Sequence, residues 1–145
     1  MTAAEFQQKF AKVKVGGNTM EGKFHSGKYE CSKGNVYFRS KWEANYALYL
    51  DWLVKNGKIK DWQYEADIFF FEGIKMGTNS YRPDFKIFNL DGSFHYDEIK
   101  GYLDAKSKTR LKRMKKYHPN VKVILIERKA YDGIIGSMKG IIKFY

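Results

Sequence analysis

The chain has a single cysteine, Cys31, so an internal disulfide is excluded and stability must come from a packed core. A lone thiol also fits a reducing compartment. Long apolar runs are missing: stretches such as residues 68–71 and 123–126 fall far short of the ~20 residues that cross a bilayer. Nothing at the N-terminus resembles a signal peptide, so a soluble, cytoplasmic protein without a membrane partner is expected. Internal repeats and low-complexity segments are absent, and the two prolines stand apart, which excludes solenoid and proline-rich classes. His25, His95 and His118 lack zinc spacing with one another or with Cys31. No phosphate-cradling glycine loop is present, which argues against an ATPase.

What the sequence does have is charge and aromatic bulk. With 43% hydrophobic and 17% aromatic residues in 145, it has the composition of one folded domain. Lys and Arg number 27 against 16 Asp and Glu, a formal net charge of +11. Such a surplus favours a polyanionic partner, because each neutralised phosphate releases condensed counterions. No segment joins a basic face to a broad apolar one, so nucleic acid is favoured over a membrane surface. A merely basic soluble protein is the plain alternative.

Residues 1–28 read as a basic N-terminal arm, with a short helix over residues 3–11, and residues 29–145 as the main domain. Residues 29–31 and 36–38 flank a turn and suggest a hairpin. A helix is expected over residues 41–55, where Trp42, Tyr46, Tyr49, Leu50 and Leu53 recur at helical spacing and Gly57 is a stop. Alternation of Trp62, Tyr64, Ala66, Ile68 and Phe70 predicts a strand, and residues 72–80 a loop. Strands over residues 82–88 and 94–102 follow, then a helix over 104–117 ended by Pro119. Residues 121–126 form a β-branched run expected to be buried on both faces. The segment after Tyr131 carries no clear pattern. The order is helix, three antiparallel strands, helix, strand: an α/β fold with a mixed central sheet flanked by helices.

The chemistry concentrates in Pro83-Asp84 and Glu98-Ile99-Lys100. On a strand Glu98 and Lys100 share a face, while Asp97 and Ile99 point the other way. Whether Asp84 joins them depends on the turn. A three-residue loop of Leu90, Asp91 and Gly92, closed by a left-handed glycine, sets Asn89 against Ser93. Counting back along both strands then brings Asp84 opposite Glu98. A two-residue loop would move Asp84 to the other face. Facing carboxylates repel unless a cation sits between them, and Mg²⁺ takes hard oxygen ligands of this kind. The backbone carbonyl of Ile99 is a further donor, and Lys100 can orient a water or offset charge at phosphorus. The alternative is an exposed hairpin with a Glu98–Lys100 surface ion pair.

Arg82-Pro83-Asp84-Phe85 followed by Asp97-Glu98-Ile99-Lys100-Gly101 resembles the signature of the PD-(D/E)XK nuclease superfamily. Phe38-Arg39-Ser40-Lys41-Trp42-Glu43 resembles the motif that opens the first core helix in phage and mobile-element members. The layout is also similar to phage junction-resolving endonucleases of the T7 endonuclease I type. The resemblance covers roughly residues 36–127 and implies a restriction-endonuclease-like core, α-β-β-β-α-β. It implies Asp84, Glu98 and Glu43 as metal ligands together with Ile99, Lys100 as a catalytic group, and Mg²⁺ as cofactor, with Mn²⁺ able to substitute. Ser40 and Glu43 also spell a capping box, and only the resemblance moves Glu43 into the site.

Over residues 104–117, Lys106, Lys108, Arg110, Lys112, Arg113, Lys115 and Lys116 surround the apolar anchors Leu111 and Met114. Such runs are usually solvated faces, but this one starts directly after the candidate catalytic strand, which favours contact with backbone phosphates. Glu65 and Asp67 read as solvent or salt-bridge groups. The expectation is a metal-dependent DNA endonuclease acting on branched or double-stranded DNA, in the host cytoplasm if phage-encoded. A homing or restriction-type endonuclease, an end-trimming nuclease and a non-catalytic DNA-binding protein are the alternatives. The sequence leaves a homodimer open.

Overall fold

The computed structural model describes residues 25–145. The expected helix over residues 3–11 lies outside them, as does the arm up to residue 24. Gly27 and Lys28, read from sequence as the end of that arm, instead open the first strand. The described residues fall into two compact units, 25–58 with Asp132–Tyr145, and Ile59–Tyr131.

In the first unit β1 (Gly27–Cys31) pairs antiparallel with β2 (Gly34–Phe38) through a Ser32-Lys33 turn. Gly34 takes φ +98°, which only glycine adopts cheaply, so the turn is tighter than the four residues expected. Helix α1 (Lys41–Lys55) packs on this hairpin. Ser40 caps it, its Oγ accepting the Glu43 N–H at 3.2 Å. Gly57, at φ +66°, ends it by donating to the Val54 carbonyl. Its buried side is broader than the stripe expected: Ala44, Ala47 and Leu48 are buried with Tyr46 and Leu50, whereas Trp42, Tyr49 and Leu53 are half-buried. Besides Glu43, this buries the polar side chains of Asn45 and Asp51, both hydrogen-bonded. Asp51 accepts from the Ser32 N–H at 2.9 Å and from its hydroxyl. Asn45 exchanges hydrogen bonds with the backbone of Tyr145, whose ring meets Tyr29 edge-on at 4.9 Å.

The second unit holds a four-stranded mixed sheet in the order β3-β6-β7-β8. Its strands are β3 (Asp61–Tyr64), β6 (Phe85–Phe88), β7 (Phe94–Lys100) and β8 (Val123–Glu127). The first three run antiparallel; α2 (Ala105–Tyr117) then carries the chain over to β8, parallel to β7. The single strand expected over residues 62–70 is broken. Glu65 turns left-handed at φ +48°, and a short β4 (Phe69–Phe70) leaves the main sheet to pair with β5 (Ser80–Tyr81). Pro83 has no N–H for the ladder, so β6 starts only at Phe85 rather than at residue 82. β8 is an edge strand, half-buried over Val123–Leu125, buried at Ile126 and exposed at Glu127, and not the doubly covered strand expected. Helix α3 (Arg128–Met138) occupies the segment that carried no sequence pattern.

Pairing fixes the faces of this sheet. Trp62, Phe85, Ile87, Ile99 and Ile126 are buried on one. On the other, α2 closes a cluster of Phe71, Tyr81 and Met114 with Leu111 and Val123. Asp104 caps α2, accepting the Ser107 N–H at 2.7 Å. Among the described residues, no helix is long and apolar enough to cross a membrane.

Candidate active site

The β6–β7 turn has the geometry expected of it. Asn89 N–H donates to the Ser93 carbonyl at 2.8 Å, Gly92 N–H returns to the Asn89 carbonyl at 3.2 Å, and Gly92 sits at φ +89°. Phe85 faces Asp97, so the next residues outward, Asp84 and Glu98, come opposite each other at the mouth of the hairpin. Side-chain bonds close the arrangement. Asp84 Oδ2 accepts the Ile99 N–H at 2.8 Å, and Glu98 Oε2 accepts the Asp84 N–H at 3.1 Å.

Both carboxylates are buried, Asp84 at 7% and Glu98 at 4% exposure, which decides against a surface ion pair. Lys100 follows on the same face, its Nζ 3.5 Å from Glu98 Oε1. The Tyr81 hydroxyl donates to Glu98 Oε2 at 2.7 Å. Burial pushes the Glu98 carboxyl above the ordinary carboxylate range, against the pull of the Tyr81 hydroxyl, the Lys100 ammonium and the Asp84 N–H. Burial and the adjacent Glu98 charge push the Tyr81 phenol strongly upward, so it stays a hydrogen-bond donor. Nothing in the sequence pattern singles out Tyr81, although it stands immediately before Arg82-Pro83-Asp84; β5 is what turns it toward Glu98.

The remaining expected residues distribute unevenly. Ile99 contributes its N–H to Asp84, and its side chain is buried on the opposite face of the sheet. Asp97 also lies on that face, 3.2 Å from His95 Nε2. Glu43 belongs to the other unit, buried in the first turn of α1. On α2, Lys106, Lys108, Lys112, Lys115 and Lys116 are exposed. Arg110 and Arg113 are half-buried, and the Arg113 guanidinium donates to the Thr78 carbonyl, holding a loop rather than projecting into solvent. Glu65 and Asp67 make ion pairs, with Arg82 at 4.0 Å and Lys86 at 2.8 Å.

The sequence profile of a family of proteins of unknown function, DUF1064, matches residues 21–132, well over half of the chain. The chain belongs to the DUF1064 family. That span takes in the hairpin and α1 of the first unit and every strand of the second, so Asp84, Glu98 and Lys100 lie inside the part this DUF1064 member shares with its family. No curated protein and no solved structure matches the chain.

The donor set suits a hard divalent cation. Among the described residues no three His, Cys, Asp or Glu side chains gather into a metal-holding cluster. Mg²⁺, however, is commonly held by one or two carboxylates, with waters and substrate phosphate oxygens completing its octahedron. Asp84 and Glu98 supply such a pair of oxygen donors.

Proposed function

We propose that this chain is a Mg²⁺-dependent nuclease that hydrolyses phosphodiester bonds of DNA. The observation that carries the reading is the buried Asp84–Glu98 pair, facing across β6 and β7 with Lys100 on the same face. Two buried carboxylates held this close cost stability, and the cost makes sense where a cation and a phosphate are their partners. The formal charge of +11 and the row of exposed lysines along α2 suit a polyanionic substrate.

In this reading Asp84 and Glu98 hold the metal, which when bound supplies positive charge to the phosphoryl oxygens. Tyr81 and the Asp84 N–H fix one Glu98 oxygen, and the Ile99 N–H fixes one Asp84 oxygen, so neither carboxylate must reorganise as substrate arrives. Lys100 orients the attacking water and offsets charge building on the phosphorus. The water oxygen forms the new P–O bond as the bond to the leaving oxygen breaks. Water gives up a proton, the leaving oxygen takes one, and no covalent enzyme intermediate forms.

The sheet order, an antiparallel meander followed by a helical crossover to a parallel edge strand, supports a restriction-endonuclease-like core of the PD-(D/E)XK kind. Within it, the resemblance favours a phage or mobile-element enzyme acting on branched or duplex DNA. The test is incubation with Mg²⁺ or Mn²⁺ on linear duplex, supercoiled, single-stranded and four-way-junction DNA. Cleavage of at least one substrate that stops in excess EDTA is expected; cleavage that persists in EDTA would overturn the metal mechanism.

A further inference from the structure

Beside the carboxylate pair, the loop before β5 and the first turns of α2 enclose an open cleft of about 560 Å³. Its lining is Gly77, Thr78, Asn79, Ser80, Lys106 and Arg110: two cations, two hydroxyls, an amide and a glycine, with no carboxylate. That volume falls in the roughly 300–1,000 Å³ range of ligand-sized clefts. The loop is held in shape before any ligand arrives. Arg113 grips the Thr78 carbonyl, the Phe71 N–H donates to the Asn79 carbonyl at 2.8 Å, and Ser80 pairs with Phe70.

Arg110 links this cleft to the carboxylate site. It also lines a second, small cavity of about 10 Å³, formed with Tyr81, Glu98, Lys100, Ser107 and Leu111. Its Nε is buried and has no hydrogen-bond partner within the protein, the one buried side-chain nitrogen or oxygen in that condition among the described residues. A buried donor left unpaired is costly, and native folds keep few of them. A guanidinium completes its bonding best against a planar pair of oxyanion oxygens, through Nε and a terminal nitrogen together.

We propose that the loop over residues 77–80, Lys106 and Arg110 form a binding pocket for a nucleic-acid phosphate, with Arg110 as its principal donor. The nature of the ligand rests on the nuclease reading above. The pocket holds a phosphate next to the one between Asp84 and Glu98, and so sets which bond along the strand meets the carboxylates. The phosphate is either an internal diester or a terminal 5′ monoester.

The experiment measures binding of the full chain to fluorescent duplex DNA in EDTA, where no turnover occurs, with 5′-phosphate and 5′-hydroxyl ends compared. Arg110→Ala is expected to weaken binding about tenfold or more, against about twofold for the exposed Lys115→Ala. Arg110→Lys keeps the charge without the fork and is expected to recover only part of the loss. A thermal melt checks the fold of both variants. A loss equal on both duplexes assigns the pocket to an internal diester, and a loss confined to the 5′-phosphorylated duplex assigns it to a chain end. No binding by the wild-type chain overturns the pocket, as does an Arg110→Lys or Arg110→Ala affinity within about twofold of wild type. An Arg110 effect in a chain that never cleaves DNA keeps the pocket and removes the nuclease reading. Cleavage with no Arg110 effect on binding does the reverse.

Discussion

Asp84 and Glu98 orient each other through the backbone: the Asp84 N–H donates to Glu98 Oε2 at 3.1 Å, and the Asp84 carboxylate accepts the N–H of Ile99, the residue after Glu98, at 2.8 Å. Each carboxylate is held by a backbone N–H, and Glu98 by the Tyr81 hydroxyl as well. If this is the catalytic centre, its electrostatics are preorganised and should fail sharply when one member is removed.

Asp84→Ala and Lys100→Ala are therefore expected to lower cleavage by about 100-fold or more while leaving DNA binding in EDTA nearly intact. Binding rests on the cations of α2, which neither change touches. Cleavage by both variants within about tenfold of wild type would remove the pair from catalysis.

The hairpin turn allows a test of register. Gly92 lies at φ +89° with open space where a Cβ would point, so Gly92→Ala meets only backbone strain. It is expected to cost about 1–2 kcal/mol in a denaturant melt, with cleavage by the folded protein retained. Deleting Leu90 leaves Asp91-Gly92 as a two-residue hairpin loop that still sets Asn89 against Ser93, so the register and the Asp84–Glu98 pairing are kept. A folded Leu90 deletion is thus expected to keep cleaving DNA, and a folded variant that has lost cleavage would contradict the register assigned to Asp84.

Along α2, Lys108, Lys112 and Lys115 follow one another at helical spacing and are exposed, whereas Arg113 is occupied with Thr78. Replacing the three lysines with Ala is expected to make the salt dependence of duplex binding shallower, by about 0.9 in log–log slope for each phosphate no longer neutralised. Stability should change little. Affinity titrations at several salt concentrations measure this, and an unchanged slope would mark the row as a solvated face.

Asp67 offers a pH test of a carboxylate outside the Asp84–Glu98 pair. Its carboxyl accepts from Lys86, at 2.8 Å, and from the Tyr96 hydroxyl, and these bonds, Lys86 foremost, hold it below the ordinary carboxylate value of 3.8. A depressed carboxyl stabilises the fold fully above its unfolded value, and that contribution is lost as pH falls through the lower folded value. Asp67→Asn is thus expected to be less stable than wild type at about pH 7, with the gap narrowing as pH falls below the ordinary 3.8. Denaturant midpoints on both sides of that value measure it; a gap independent of pH would show that the ion pair contributes nothing.

Several features follow from residues close together in the chain. Ser40, Gly57 and the periodic apolar residues between them set α1 at the expected bounds, because caps and helical spacing act within a few residues. Asp104 starts α2 in the same way. The Leu90-Asp91-Gly92 turn is enough to bring Asp84 opposite Glu98, since strand alternation and a left-handed glycine leave one register with that loop length.

Burial and partner choice were decided elsewhere. Whether Glu98 and Lys100 form a solvated ion pair or a buried one depends on β5 and α2 closing over that face, and neither element is part of the hairpin whose local pattern sets the register. Tyr81 reaches Glu98 only because the chain breaks at Glu65 and pairs β4 with β5, a switch that the alternating residues 62–70 do not announce. Arg110 and Arg113 read like their lysine neighbours, yet the helix turns both toward the loop over residues 77–80. Turns, caps and alternation are short-range properties that a sequence states directly; which side chain loses its water, and what it bonds to instead, is set by segments meeting across tens of residues.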